Sequence, residues 1–220
     1  MYNVAIDGPA GAGKSTIAKK IAKQLGFIYV DTGAMYRAMA LACIRNNVDK
    51  DDEEAVVAVC SQINVTIAYE SDMQIVMLNG ENVNGYIRTE EVGNTASAIS
   101  VYKDVRLKLL ELQRNLAKEN NVIMDGRDIG TYVLPDAFVK IYLTASSRTR
   151  AERRSLELKE KGIEVNIEEV EKDIIDRDYR DMHREIAPLS QAEDAVLVDS
   201  SNMGIDEVVE HIIKIIEDRK

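Results

Sequence analysis

Eight consecutive residues near the start of the chain have the types and spacing of a loop that binds phosphate. They are Gly8, Pro9, Ala10, Gly11, Ala12, Gly13, Lys14 and Ser15, and Thr16 follows them. Glycines lack a Cβ and let backbone N–H groups approach phosphate oxygens, and the N-terminus of a following helix adds unpaired N–H groups. In this pattern the lysine reaches the β- and γ-phosphates, and the serine hydroxyl ligates magnesium. The motif therefore predicts that residues 8–16 hold a nucleoside triphosphate with Mg²⁺.

The residues on both sides of this loop have the patterns that such a loop needs. Residues 4–6 form a short apolar run typical of a buried strand, and apolar residues between Ile17 and Leu25 recur at helical spacing. A glycine-rich turn without a ligand would require neither flank. We therefore interpret the segment as a strand, a phosphate loop and a helix.

A second group of polar residues follows the apolar run over residues 27–30. Asp31 and Thr32 end that run, and Tyr36 and Arg37 lie in the helix predicted after it. Asp31 and Thr32 also fit a helix cap, with Arg37 as a solvated charge. Because ligands of open α/β sheets bind at the carboxyl ends of strands, we favour contact between these residues and a substrate beside the phosphate loop.

A third group follows the apolar strand over residues 122–124. Asp125, Arg127 and Asp128 lie together at its end. Charges packed this densely at a strand end are costly to bury unless they pair or bind a ligand. Phosphate-loop enzymes place a second magnesium-associated carboxylate at such a position. We therefore predict that Asp125 contributes to the metal site with Ser15, directly or through water.

The elements between these groups predict an α/β fold. Residues 46–100 alternate with period two over 63–69, turn at 70–72, form a strand over 73–78 and turn again at Asn79-Gly80 before a short strand containing Val83. We predict a P-loop NTPase core over 1–45 and 101–220, with a parallel five-stranded sheet flanked by helices. The inserted domain over 46–100 then carries a small antiparallel three-stranded meander.

Two arginine-rich helices are predicted over residues 146–161 and 168–185. The second presents Arg177, Asp181 and Arg184 at i, i+4 and i+7, which lie on one helix face. In an acidic chain, such helices are typical of a mobile lid, at about 146–185, that closes over phosphates. A solvated helical hairpin joined by ion pairs is the alternative.

The composition narrows the class of partner. The formal net charge of −10 argues against a nucleic-acid surface, and no apolar run reaches the length of a membrane span. We expect a cytoplasmic, monomeric protein of ordinary globular composition. Cys43 and Cys60 match no metal-ligand spacing and are expected to be small buried hydrophobes.

Taken together, several stretches resemble the bacterial cytidylate kinases, the long form of the nucleoside monophosphate kinases. The resemblance covers essentially the whole chain. It lies in the glycine loop, residues 31–37, residues 125–131, residues 177–189 and the inserted meander. Thr32 stands where some relatives have serine, and Ser15 stands where some have glycine.

The resemblance implies transfer of the γ-phosphoryl group of ATP, with Mg²⁺, to CMP or dCMP, giving (d)CDP and ADP. It implies an acceptor site lined by Thr32, Tyr36 and Arg37, with Arg37 and Arg127 on the acceptor's phosphate. Ser97, Arg106 and Asp128 would read the cytosine edge. Arg177 and Asp181 would hold the ribose or its phosphate neighbourhood, and Arg184 would complete the ring of contacts. Arg153 and Arg154 would reach the triphosphate from the lid. Catalytic roles fall to Lys14, Arg127, Arg153 and Arg184.

Two other functions share parts of this pattern. A regulatory GTPase has the same glycine loop, but the chain has no Asn-Lys-x-Asp stretch that reads guanine. A small-molecule kinase acting on a hydroxyl group would need a carboxylate base, for which Asp31 or Asp128 is available. The residues alone leave this second alternative open.

Overall fold

The central element of the structure is a five-stranded parallel sheet, as the sequence predicts. The computed structural model describes residues 1–71, 73–160 and 162–219. All neighbouring strands of this sheet pair in parallel, in the order β2-β6-β1-β7-β8. The strands are β1 (Asn3–Asp7), β2 (Ile28–Asp31), β6 (Val122–Asp125), β7 (Val139–Thr144) and β8 (Val196–Asp199).

Helices cover both faces of the sheet because alternate strand residues point to opposite sides. On one face, Val4 and Ile6 pack with the apolar sides of α1 (Lys14–Leu25) and α8 (Ile205–Glu217). On the other, Ala5 packs in a cluster that includes α2 (Thr32–Arg45) and α5 (Lys103–Glu119). Strands buried on both faces explain the continuous apolar runs in the sequence.

The inserted segment contains the expected antiparallel meander. It consists of α3 (Glu53–Gln62), β3 (Val65–Glu70), β4 (Met73–Leu78), β5 (Glu81–Asn82) and α4 (Glu90–Ile99), with strand order β3-β4-β5. Asn79 and Gly80 both have positive φ, at 51° and 86°, as the hairpin turn requires. The prediction that the third strand contains Val83 was wrong, because β5 ends at Asn82. Position 72 of the expected turn at 70–72 lies outside the described residues.

The apolar core of the inserted segment is continuous with the core beneath α2. Buried residues of α3, the meander and α4 belong to the same cluster as Met35 and Met39 of α2. The insert therefore packs against α2, the helix that begins directly after β2. The division of the chain at residues 45 and 101 stays a prediction.

The two arginine-rich helices pack against each other beside the carboxyl edge of the sheet. They are α6 (Ser147–Glu160) and α7 (Ile167–His183), and position 161, the expected end of the first, lies outside the described residues. Between β6 and β7, residues Ile129–Val133 form a single π-helical turn. Within residues 1–71, 73–160 and 162–219, no helix has the length and hydropathy of a membrane span.

Candidate active site

The glycine loop joins β1 to α1 with a backbone that only glycine accepts at several positions. Gly8 has a φ of +145°, and a Cβ built on it would lie 1.9 Å from the carbonyl oxygen of Leu143. Gly13 has a φ of +86° and occupies the N-cap of α1, which begins at Lys14. The loop therefore presents backbone N–H groups at a helix N-terminus, the arrangement that binds phosphate.

Lys14 lies under this loop with its amino group turned towards the loop backbone. Its Nζ donates hydrogen bonds to the carbonyl oxygens of Gly8, at 2.8 Å, and Pro9, at 2.7 Å. Burial, and then the positive charge of Arg127, lower the pKa of Lys14 well below its ordinary value. A nearby anion would stabilise this cation.

Asp125 and Ser15 lie together at the end of β6, where the sequence predicts a metal site. The Ser15 hydroxyl donates to Asp125 Oδ2 at 2.9 Å, and the Tyr29 hydroxyl donates to Oδ1 at 2.8 Å. Burial, with a further contribution from the charge of Asp31, raises the pKa of Asp125 to about 6. Among the described residues, no three His, Cys, Asp or Glu side chains are grouped around one point. A hydroxyl and one carboxylate nevertheless suit Mg²⁺, which usually takes its other ligands from water and phosphate oxygens.

Three arginines from different elements converge beside Lys14 and Asp125. Arg127 donates from Nε to Asp181 Oδ2 on α7 at 2.9 Å. Arg177 Nε is buried and has no hydrogen-bond partner among the described residues. Burial, and then the charge of Arg127, lower the pKa of Arg177 to about 10. Burial is also the first cause that lowers the pKa of Arg37. A cluster of this kind is electrostatically unfavourable without an anion, which makes it a candidate phosphate site.

Next to this cluster, Asp128 holds two further buried arginines. It pairs with Arg106 Nη2 through Oδ2 and with Arg184 Nη2 through Oδ1, the latter at 3.1 Å. The guanidinium of Arg106 lies over the ring of Tyr36, 5.6 Å from its centroid. Arg106 Nε is buried without a hydrogen-bond partner in the described part of the chain. This polar site is built to meet hydrogen-bonding groups of a ligand.

Ser97 and Thr32 reach this region through backbone contacts. The Thr32 hydroxyl donates to the carbonyl oxygen of Asp125 at 2.7 Å. Ser97 accepts from the Ser100 hydroxyl through its carbonyl oxygen, and Ser100 in turn accepts from Arg106 Nη1 at 3.0 Å. The structure therefore places the Thr32 side chain at the end of β6. Contact between the Ser97 side chain and the acceptor stays a prediction, because the described hydrogen bond of Ser97 is made by its carbonyl oxygen at the end of α4.

Arg153 and Arg154 lie apart from this arginine cluster. Arg153 Nη2 donates to the carbonyl oxygen of Ser200, at 2.7 Å, in the loop after β8, and Arg154 pairs with Glu157 on its own exposed helix face. Contact between either side chain and a triphosphate stays a prediction, and this arrangement does not favour it. The sequence could not show this arrangement, because residues of one helix turn point to different sides and the sequence does not say which side of α6 faces the phosphate loop.

Asp7 is a residue of the site that the sequence interpretation missed. Asp7 is fully buried at the end of β1 and accepts the backbone N–H groups of Ile129, at 2.8 Å, and Gly130, at 2.7 Å. It thereby holds the turn that follows Asp125 and Arg127. Asp7 ends an apolar strand in the same way as Asp125, so the same signal was available to find it.

Asp31 forms the helix cap that the sequence analysis gives as the alternative to substrate contact, and contact with a substrate stays a prediction. It caps α2 by accepting from Ala34 N at 2.9 Å, and it pairs with Arg88 Nη2 at 2.6 Å. Burial works against its charge, but Arg88 outweighs burial and lowers the pKa of Asp31. Gln74 of the meander accepts from Asp31 N at 2.7 Å. The insert is thus tied to the start of the helix that carries Tyr36 and Arg37.

Comparison with known proteins finds the same resemblance over the whole chain. A family model described as Cytidylate kinase matches residues 4–218. The chain is 51% identical over 213 residues to the cytidylate kinase of Caldicellulosiruptor saccharolyticus, a match that covers 97% of this chain and 94% of that protein. It is 50% identical over 220 residues to the cytidylate kinase of Lactobacillus johnsonii, covering 100% and 96%.

Solved structures resemble the chain at the level of the fold. An uncharacterized protein from Eubacterium ventriosum aligns with a TM-score of 0.56 and 13% identity over 99% of both chains. A shikimate kinase from Bacteroides thetaiotaomicron aligns with a TM-score of 0.50 and 12% identity over 98% of both. At these identities the likeness concerns the arrangement of the sheet and its helices and leaves the substrate to be argued from the site.

Proposed function

The chain belongs to the cytidylate kinase family, and from this premise we propose how its residues transfer the γ-phosphoryl group of ATP to CMP or dCMP. The enzyme is a nucleoside monophosphate kinase, and its products are ADP and CDP or dCDP. The observation that carries the proposed site is the half-buried cluster of Arg37, Arg127 and Arg177 beside the phosphate loop. Among the described residues, the buried Arg177 Nε has no hydrogen-bond partner there, and burial followed by the charge of Arg127 lowers the pKa of both Arg177 and Lys14.

The donor phosphates bind at the glycine loop in this proposal. The backbone N–H groups of residues 8–16 and the N-terminus of α1 hold the polyphosphate, and Lys14 turns from the loop carbonyls to the β- and γ-phosphates. Ser15 and Asp125 would hold Mg²⁺, directly or through water. When bound, the metal ion neutralises charge on the donor phosphates.

The acceptor's phosphate binds to Arg37 and Arg127, with Arg177 beside them. Arginine clusters of this kind match the geometry of phosphate through paired N–H donors. They also stabilise the charge that spreads over the phosphoryl oxygens during in-line transfer. No protein base is required, because a nucleotide phosphate is already largely ionised near neutral pH.

The base of the acceptor lies in the Asp128 region. Cytosine carries an amino donor next to a ring nitrogen and a carbonyl, both of which accept hydrogen bonds. Asp128 accepts from the amino group, and Arg106 and the Ser97 hydroxyl donate to the acceptors. Asp181, held by Arg127, lies on the face of α7 that carries Arg177. The predicted helix over 168–185 ends earlier, at His183, so Arg184 follows α7 in an extended conformation and does not continue that face. We assign these three residues to the ribose and its surroundings.

Transfer to a neutral hydroxyl group is disfavoured by the state of the available carboxylates. Asp31 is paired with Arg88, and Asp128 is paired with both Arg106 and Arg184. A carboxylate that is held by guanidinium groups in this way is a weak general base. A sugar kinase or a shikimate-type kinase needs a free base at this position.

An acceptor screen tests the proposal. ADP release is measured with Mg²⁺ and ATP against CMP, dCMP, UMP, AMP, GMP and shikimate. We expect fast turnover with CMP and dCMP, none when Mg²⁺ is removed by a chelator, and slow turnover with the purine nucleotides and shikimate. Turnover with a purine nucleotide alone would overturn the cytosine site, and slow hydrolysis that is indifferent to every acceptor would point to a nucleotide switch.

The residue roles are tested in the same assay by Arg127→Ala. Its guanidinium lies in the cluster, whereas Arg45 is exposed at the end of α2 and pairs with Glu81 of the meander. Arg45→Ala is therefore the matched control. We expect the first variant to lose most turnover and the second to keep it. Equal turnover in the two variants would refute the role of Arg127.

A further inference from the structure

Arg150 of α6 and Asp178 of α7 meet at the phosphate loop, although neither belongs to the substrate site described above. Arg150 Nη1 pairs with Asp178 Oδ2 at 2.6 Å. The same Nη1 donates to the carbonyl oxygen of Ala10 at 2.9 Å, and Asp178 Oδ1 accepts from Ala10 N at 3.3 Å. Both backbone polar groups of Ala10 are therefore held by one ion pair that spans the two lid helices.

This ion pair is buried and anchored. The side chains of Arg150 and Asp178 are 7% and 10% exposed. Arg150 Nε also donates to the carbonyl oxygen of Ala145, directly after β7, at 2.9 Å. A Cβ on Gly11 would lie 3.4 Å from the Cβ of Arg150, so the loop packs closely against α6. A buried ion pair is stable only when its other hydrogen-bonding atoms also have partners, and the N–H and carbonyl groups of Ala10 supply two of them.

The contact with Ala10 continues to Lys14 through one peptide group. Asp178 accepts the N–H of the Pro9–Ala10 peptide, and Lys14 donates to the carbonyl oxygen of that same peptide. A peptide group is planar, so a rotation that frees one of these atoms also moves the other. The position of α7 is thereby linked to the orientation of the peptide that holds the Lys14 amino group.

From this geometry we infer that Arg150 and Asp178 are positioning residues that couple the lid helices to the phosphate loop and to Lys14. The inference rests on the proposed binding of the donor phosphates at this loop. The pair sets the shape of the loop for the donor nucleotide while the lid lies against it. An ion pair that only joined α6 to α7 would leave nucleotide affinity unchanged when it is weakened.

The chain offers a matched control for that simpler role. Arg148 of α6 and Glu171 of α7 also join the two lid helices, with Nη1 and Oε2 3.4 Å apart. Within the described residues, neither side chain forms a hydrogen bond or an ion pair with the loop. Glu171→Gln therefore weakens the helix pair without touching Ala10.

The test compares Asp178→Asn with Glu171→Gln by titration calorimetry, with ADP and CMP as separate ligands. Because a hydrogen bond to a charged group contributes a large free energy, we expect the Kd for ADP to rise about tenfold in Asp178→Asn. The Kd for CMP should change less than about twofold, and Glu171→Gln should change neither constant. The inference is overturned if ADP affinity is unaffected in Asp178→Asn, or if Glu171→Gln weakens ADP binding equally.

A second variant keeps the test decisive if Asp178→Asn does not fold. Arg150→Lys keeps the positive charge but has only one nitrogen with which to contact Asp178, Ala10 and Ala145. We expect the same selective loss of ADP affinity, at a temperature where melting curves show every variant to be folded. Unchanged ADP affinity in Arg150→Lys overturns the inference. Binding of ADP needs no acceptor, so failure of the acceptor screen in the unmodified enzyme would be seen separately.

Discussion

Asp128 balances the charges of two buried arginines, and neutralising it should weaken both the fold and the acceptor site. The side chains of Arg106, Arg184 and Asp128 are 3%, 4% and 7% exposed. Asp128→Asn keeps the size of the side chain and one acceptor oxygen, but it leaves two guanidinium groups without their anion. Breaking a buried pair of this kind costs about 3–5 kcal/mol.

Because asparagine still accepts one hydrogen bond, we take the lower end and expect a loss of about 3 kcal/mol in the free energy of unfolding. For a chain of this length, that lowers Tm by about 6–12 °C. The matched control is Asp51→Asn, since Asp51 pairs with Lys50 at 2.8 Å and the two side chains are 74% and 43% exposed. An exposed pair contributes about 0–1 kcal/mol, so the control should melt close to the unmodified enzyme.

Urea denaturation and thermal melting of the two variants measure this difference, and steady-state kinetics with CMP follow its effect on the site. We expect a raised KM for CMP in Asp128→Asn and little change in the KM for ATP. The electrostatic reasoning is refuted if Asp128→Asn loses less than about 1 kcal/mol, or no more than Asp51→Asn. A normal KM for CMP in a folded Asp128→Asn enzyme would instead refute the assignment of Asp128 to the base.

Three other predictions concern the loop and the strand before it. Lys14→Ala should lower kcat by about a hundredfold or more, as loss of a group that stabilises transferring charge does, with Tm changed by only a few degrees; near-normal turnover would contradict its role. Gly8→Ala should destabilise the fold by more than about 2 kcal/mol, because its Cβ would lie 1.9 Å from Leu143 O. Gly80→Ala, at a positive φ with no described atom within 4 Å, should cost about 1 kcal/mol, and equal melting of the two variants would be inconsistent with this steric reason. Burial raises the pKa of Asp7 from 3.8 to about 7. Between these pH values the folded protein keeps a proton that the unfolded chain has released. The contribution of Asp7 to the free energy of unfolding is therefore lost as the pH rises through about 7. Asp7→Asn should remove this pH dependence of the free energy of unfolding, whose slope is up to about 1.4 kcal/mol per pH unit between about pH 4 and pH 7. Identical pH profiles of urea stability for the variant and the unmodified enzyme would exclude the effect.

Local patterns were sufficient to predict the elements and the main motifs. The strand, loop and helix around Lys14 depend on glycine conformations and helical spacing within about twenty residues. The alternation over 63–69 and the Asn79-Gly80 turn predicted the hairpin of the meander, and the structure departs from this only in the short third strand. The apolar run before Asp125 placed that carboxylate at the edge of a sheet.

Partners that are distant in the chain could not be read in the same way. The sequence offered Asp31 as a helix cap or a substrate contact, and the structure shows the cap, but its ion pair with Arg88 of the insert was not predicted. The resemblance assigns Arg153 to the phosphates, which stays a prediction, and the sequence did not show that this side chain donates to the carbonyl oxygen of Ser200 after β8. Spacing within one helix shows which residues share a face, and the neighbouring element decides what that face meets.

The sequence by itself determined the phosphate loop, the order of the elements and the family of the chain, because these depend on residues close to one another and on motifs in a definite order. Only the tertiary structure decided that Asp7 holds the turn at Ile129 and that Arg150 and Asp178 hold Ala10. These contacts join residues more than a hundred positions apart in chain order. They arise where the carboxyl ends of parallel strands bring separate loops to one edge of the sheet.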